Sequence, residues 1–131
     1  MLKNGCRIRV LLVEPSSDAV AVAAQRYYAE RSSDSAVRRI NHTLRLLAEL
    51  KRSTGGALHV RLTTHPVAVG VIAVDCSSAN RSDASALFVE YYPYQAPGNE
   101  PKFVLQPPDS RWFENLYHEA EALWSDGRER A

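Results

Sequence analysis

The chain has 131 residues, of which 45% are hydrophobic and 24% charged, and this composition suits one compact domain that spans residues 1–131. A formal net charge of +1 gives no broad electrostatic field for nucleic acid or anionic lipid. No stretch is long and apolar enough to span a bilayer and the first ten residues lack a signal-peptide pattern, so we expect a cytoplasmic protein without a membrane or nucleic-acid partner. Cys6 and Cys76 have no metal or disulfide spacing, so we expect reduced thiols, no metal and no cofactor.

The first predicted elements are a strand and two helices. Ile8–Val13 is an almost unbroken apolar run, which predicts a strand buried on both faces of a parallel sheet. Residues 2–5 resemble the end of a glycine-capped helix, so we expect that a leading βα unit is missing from the domain. Ser16, Ser17 and Asp18 provide caps for a helix over residues 19–30, and apolar spacing predicts a longer helix over residues 35–52.

Further strands and a last helix follow. Strand patterns cover residues 57–62, 67–75, 85–92 and 102–105. After Asp109 or Ser110, a final helix carries an apolar stripe of Trp112, Phe113, Leu116, Tyr117, Ala120, Leu123 and Trp124. Gly127 and residues 128–131 are expected to fray into solvent. The order of elements predicts an α/β domain with a mixed, mostly parallel sheet covered by helices.

Four stretches carry a family resemblance: RIRVLLVEP, LHVRLTTHPVAVGVIAVD, LFVEYYPY and RWFENLYHEAEALW. In this order they resemble one half of the phospholipase D-like fold, especially the domains of that type appended to helix-turn-helix regulators of actinobacteria. Halves of that fold pair across a two-fold axis. The resemblance therefore implies a homodimer, and the missing βα unit would leave a sheet edge to cover.

The catalytic signature of that family is degenerate in this chain. Active members carry His-x-Lys-x4-Asp, in which the histidine attacks phosphorus and the lysine neutralises the phosphoryl oxygens. An alignment on Asp75 places Ala68 and Gly70 at the histidine and lysine positions. An alignment on His59 gives Arg61 in place of the lysine and a proline in place of the aspartate. Either alignment implies a dismantled phosphodiesterase site.

Three carboxylates at strand ends form one candidate ligand site. Glu14, Asp18 and Asp75 lie at or just beyond the carboxyl ends of predicted strands, where open α/β sheets bind ligands. Together they would make an acidic rim for a cation or a hydroxyl-rich ligand. The same positions also fit ordinary strand-exit and helix-cap chemistry.

The aromatic strand and the loop after it form a second candidate. Glu90 lies among aromatic residues and must be paired or face a cavity, unless strand alternation turns it outward. Tyr92 and Tyr94 are followed by the Pro/Gly-rich residues 95–101 and would give a rigid recognition surface, or else a partly buried cluster that stabilises the loop.

The sequence favours a non-catalytic sensing or interaction domain over an enzyme. Such a domain would bind a small ligand, phosphorylated or not, or a protein partner, and would self-associate. The first alternative is a phosphodiesterase or nuclease that uses His59 or His65, with Arg61 as the phosphate clamp. The second is a small interaction subunit of a bacterial complex.

Overall fold

A computed structural model of the chain describes residues 7–27, 32–55, 57–94 and 100–130. These residues form a mixed α/β fold with two three-stranded sheets and three α-helices. The elements in chain order are β1 (Ile8–Val13), α1 (Asp18–Tyr27), α2 (Asp34–Ser53), β2 (Leu58–Thr63), β3 (Val69–Val74), β4 (Ala86–Tyr91), β5 (Lys102–Leu105), α3 (Arg111–Asp126) and β6 (Arg128–Glu129). The predicted helix end at residues 2–5, Cys6 and the end of the first predicted helix lie outside the described residues.

Sheet A contains β1, β2 and β6, with β2 in the centre. β1 and β2 are parallel, as strands joined by two helices are expected to be, and their register runs from Ile8 opposite Leu58 to Val13 opposite Thr63. One face packs on α2 through a buried cluster of Leu44, Leu58, Val60 and Leu62. A second cluster, of Val20, Ala24 and Ala36, packs α1 against α2.

Sheet B is an antiparallel meander of β3, β4 and β5. Helix α3 covers one face, where Phe113 is fully buried with Leu87, Val89 and Cys76. Because side chains alternate along β4, Leu87 and Val89 point toward α3 while Phe88 and Glu90 lie on the opposite face. Cys76 is a free cysteine and is buried in this core, as expected of a packed thiol.

The prediction of a mostly parallel sheet is wrong. The connections from β3 to β4 and from β4 to β5 are too short for parallel pairing, which needs a crossover of about a dozen residues or more. Among the strands that the structure describes, only the β1–β2 pair is parallel. β1 also differs from the doubly buried strand that its composition predicted, because Arg9 is exposed and the other residues of the strand are half-buried.

The end of the described chain corrects two further predictions. Arg128–Glu129 does not fray into solvent but forms β6, which pairs antiparallel with β2. Gly127 permits this return, because a Cβ at that position would lie 2.9 Å from the Leu11 Cδ1 atom and 3.2 Å from the Arg61 Cβ atom. Trp112, assigned to the apolar stripe, is 71% exposed.

Candidate functional site

An open cleft with a volume of about 590 Å³ runs along α3. Its lining residues are Ser78, Arg81, Glu114, Tyr117, His118 and Glu121. The first two belong to the loop between β3 and β4, and the other four lie on one face of α3. The cleft therefore lies where a loop of sheet B meets the helix that covers that sheet.

Arg81 is the central cation of the cleft. Its guanidinium lies 5.1 Å from the ring centroid of Phe113 and 5.0 Å from that of Tyr117. The Nε atom donates a hydrogen bond to the Cys76 carbonyl oxygen at 3.0 Å, and Nη1 donates to Glu114 Oε1 at 2.6 Å. A guanidinium has five N–H donors, so these two contacts leave about three for solvent or a ligand.

Backbone geometry fixes the loop that carries Arg81. Asp75 adopts a left-handed conformation with φ of 54°, which aspartate tolerates better than most residues. The buried Ser85 hydroxyl donates to the Asp75 carbonyl oxygen and accepts a hydrogen bond from the Ser82 N–H at 2.9 Å. Cys76 is buried directly after the turn. These contacts tie the two ends of the loop together.

On the α3 side of the cleft, each glutamate has a nitrogen-bearing side chain as its partner. Glu114 Oε2 lies 3.4 Å from His118 Nε2, one helical turn further on. Glu121 pairs with Arg9 of β1, and the hydrogen bond between them raises the pKa of Arg9. Burial, followed by the nearby Glu121 charge, raises the pKa of Tyr117, so this side chain presents a neutral hydroxyl at physiological pH.

The same helix continues from the cleft onto sheet A through Trp124. Arg9 and Arg61 lie 5.1 Å and 4.6 Å from the centroid of its ring. Arg61 Nη1 also donates to the Trp124 carbonyl oxygen at 2.9 Å, and its Nε is 3.7 Å from Glu129 Oε2. Arg61 thus closes the carboxyl end of α3.

The structure does not bring the two candidate catalytic histidines together. His59 is the second residue of β2, and His65 lies two residues beyond the end of that strand. His65 is exposed, and its backbone N–H donates to Thr63 Oγ1 at 3.1 Å. Arg61 is committed to Trp124 and Glu129. None of these three residues lines the cleft on α3.

The three carboxylates of the expected acidic rim belong to two different sheets, with Glu14 and Asp18 after β1 and Asp75 after β3. Glu14, at the end of β1, accepts a hydrogen bond from Arg128, and this bond holds its pKa below the ordinary value. Asp18 is exposed at the start of α1, while Asp75 belongs to the loop after β3 in the other sheet. Within the described ranges no three His, Cys, Asp or Glu residues are grouped as metal ligands.

The aromatic candidates divide between two places. Glu90 is half-buried on the face of sheet B opposite α3, in register with Gly70 and Lys102. Tyr92 lies over Gly70, since a Cβ added there would be 2.5 Å from the Tyr92 Oη atom. Tyr94 turns toward α1, where the Arg26 guanidinium lies 5.6 Å from its ring centroid. Glu90 and Tyr92 thus share one end of sheet B.

Comparison of the chain with protein-family models, curated proteins and solved structures found no match. In the part of the chain that the structure describes, no helix has the length and apolarity to cross a membrane.

None of the six residues that line the cleft was predicted as a site residue from the sequence. One signal was present, because Glu114, His118 and Glu121 are spaced to share one helix face. Arg81 had no such signal. Its position depends on aromatic rings more than thirty residues further along the chain.

Proposed function

We propose that this chain is a non-catalytic binding domain whose cleft on α3 takes a small polar ligand with an anionic group, such as a phosphate monoester. The observation that carries the proposal is the fixed guanidinium of Arg81, which is stacked on two rings and has N–H donors to spare. Arginine binds phosphate and carboxylate through paired N–H groups, and a donor already held in place loses little entropy on binding.

The other groups of the cleft suit the same ligand. The Ser78 and Tyr117 hydroxyls and the His118 ring supply further hydrogen-bond donors around Arg81. The two carboxylates are already engaged, Glu114 with Arg81 and Glu121 with Arg9. The donors of the cleft would bind the anionic group of such a ligand, and the two carboxylates would accept hydrogen bonds from its hydroxyl groups.

Binding without turnover is favoured by the residues at the positions of the phospholipase D-like signature. Ala68 and Gly70 offer neither a nucleophile nor a cation, and Tyr92 leaves no room for a side chain at position 70. Cys76, a further nucleophilic side chain beside the cleft, is buried, and this burial raises the pKa of its thiol. A raised thiol pKa lowers the fraction of reactive thiolate.

The test is to titrate the protein with ribose 5-phosphate and, separately, with ribose, and to record the amide chemical shifts during each titration. We expect saturable shifts around Ser78, Arg81 and His118 with the phosphate ester and much weaker binding of ribose. His118→Gln and Ser78→Ala should each weaken binding by about tenfold, as loss of a hydrogen bond to a charged group does. His42→Gln, at an exposed position on α2, is the matched control and should bind as the unaltered protein does.

Two results would overturn the proposal. One is the absence of shifts at the cleft with millimolar phosphate ester. The other is turnover of a chromogenic phosphodiester that both His59→Ala and His65→Ala abolish, which would make the chain a hydrolase with its site on β2.

A further inference from the structure

Helix α3 repeats a short pattern, Glu-x-Leu-aromatic, over residues 114–117 and 121–124. At the first copy the pattern holds Arg81, the central cation of the cleft. Arg81 pairs with Glu114, and its guanidinium lies 5.0 Å from the centroid of the Tyr117 ring. Residues three apart on a helix lie on the same face, so one glutamate and one aromatic ring can fix a guanidinium together. The second copy has the same residue types at the same spacing.

Arg9 of β1 occupies the equivalent place at the second copy. Both of its Nη atoms donate to the Glu121 carboxylate, and its guanidinium lies 5.1 Å from the centroid of the Trp124 ring. The Arg9 side chain is 40% exposed, and the bonds to Glu121 leave about three of its five N–H donors for solvent or a ligand. Arg9 thus shares the features that make Arg81 an anion site, namely a fixed guanidinium and N–H donors to spare.

The two arginine sites belong to the first and the last residue of α3 that line the cleft. These residues, Glu114 and Glu121, are seven positions apart, which places them about 10.5 Å apart along the helix axis. His118 lines the cleft between them. A ligand that reaches both arginines therefore needs two anionic groups on a spacer of several atoms.

We propose that the cleft takes a ligand with two phosphate groups at the ends of a hydroxyl-bearing chain, as in a hexose bisphosphate. This inference rests on the function proposed above and extends it to a second phosphate. Arg81 would bind one phosphate and Arg9 the other, each through paired N–H groups, and α3 already holds both guanidiniums in place. The His118 ring and the two glutamates would form hydrogen bonds with the hydroxyl groups of the chain.

The test compares fructose 1,6-bisphosphate with fructose 6-phosphate in titrations of the full chain, with amide and indole N–H chemical shifts as the readout. We expect the bisphosphate to bind about tenfold more tightly or better, because the second charged contact forms within a complex that already exists. It should also shift the signals of Arg9 and of the Trp124 indole N–H, which the monophosphate should leave nearly unchanged. Pyrophosphate is the matched ligand control, since its two phosphoryl groups share one oxygen atom and cannot reach both arginines.

Arg9→Gln and Arg9→Lys should each reduce the advantage of the bisphosphate over the monophosphate to less than about threefold, because the second charged contact is lost. The lysine variant keeps a cation beside Glu121 but loses the paired N–H groups and the planar stacking on Trp124. It therefore separates loss of the phosphate site from loss of the ion pair. Arg45→Gln, at an exposed position on α2, is the matched control and should keep the full advantage.

The proposal is overturned if the bisphosphate binds no more tightly than the monophosphate, or if both Arg9 variants keep its full advantage. It is also overturned if pyrophosphate shifts the Trp124 indole signal as the bisphosphate does, since charge alone would then explain the effect. Cleft shifts with fructose 6-phosphate but no advantage of the bisphosphate would remove this proposal alone. The absence of cleft shifts with either sugar phosphate would remove the function proposed above as well.

Discussion

At the scale of single residues, Gly70 and Tyr92 lie in close contact at one end of sheet B. Gly70 is the second residue of β3 and lies opposite Glu90, with Tyr92 over it. A Cβ at this position would lie 2.5 Å from Tyr92 Oη and 3.3 Å from Tyr92 Cζ. The tyrosine thus occupies the volume that a side chain at position 70 would need, and the two residues form one packing unit.

We predict that Gly70→Ala lowers the free energy of unfolding by about 1–3 kcal/mol, because the added methyl group overpacks the contact with Tyr92. The same substitution in a Tyr92→Phe background should cost less, since the hydroxyl that meets the new Cβ is gone. Urea denaturation of the four proteins of this double-mutant cycle measures the coupling, which we expect to exceed 0.5 kcal/mol. Equal effects of Gly70→Ala in both backgrounds would contradict the contact.

The sequence located residues along the chain but did not reveal what surrounds them in the fold. Asp75 was expected at a strand end and lies there, but its left-handed backbone and its hydrogen bond from Ser85 were not visible in the pattern. Arg81 stood in an unremarkable polar loop. Its environment comes from Phe113 and Tyr117, and single-sequence periodicity contains no information about such distant contacts.

At the scale of elements, local periodicity predicted where several strands and helices begin and end, but it did not predict how the strands pair. The bounds of β1 and β5 match the prediction, and α2 differs by one residue at each end. The direction of the strands in sheet B was wrong, because strand pairing depends on connections rather than on composition. The sequence did not predict β6, because two residues are too few to show a periodic pattern. Its position depends on pairing with β2 and on the ion pair between Arg128 and Glu14, directly after β1.

The ion pair between Arg128 of β6 and Glu14 at the end of β1 makes the stability of the fold depend on acid pH. The hydrogen bond from Arg128 lowers the pKa of Glu14 from its ordinary value of 4.5, so the unfolded chain takes up this proton at a higher pH than the folded chain. The contribution of Glu14 is therefore complete at neutral pH and is lost as the pH falls through 4.5 and then through the folded-state pKa.

We predict that Glu14→Gln is less stable than the unaltered protein at pH 7 and that the difference disappears in acid. Denaturant titrations over a pH series measure it. Glu119→Gln, at an exposed position on α3, is the control and should show no such pH-dependent difference. A gap between Glu14→Gln and the unaltered protein that stayed constant down to strongly acidic pH would rule out the ion pair as its source.

At the scale of the whole molecule, α3 joins the two sheets into one unit. Its first half fills the core of sheet B through Phe113, and its second half meets sheet A through Trp124, Arg9 and Arg61. The pairs of Glu114 with Arg81 and of Glu121 with Arg9 tie the same helix to both sheets along the cleft. We infer from this arrangement that neither sheet unfolds without loosening the helix that the other needs.

Two adjacent aromatic residues of α3 test this coupling. Phe113 is fully buried and Trp112 is 71% exposed, although the apolar stripe of the sequence includes both. We predict that Phe113→Ala lowers the free energy of unfolding by about 3–5 kcal/mol, as loss of a buried aromatic ring does, whereas Trp112→Ala changes it by less than about 0.5 kcal/mol. Native-state hydrogen exchange should show that Phe113→Ala weakens the protection of β1 and β2 as much as that of β3 and β4, because a cooperative unit opens as a whole. Retained protection in β1 and β2 alone would mean that sheet A folds independently and that α3 belongs to sheet B only.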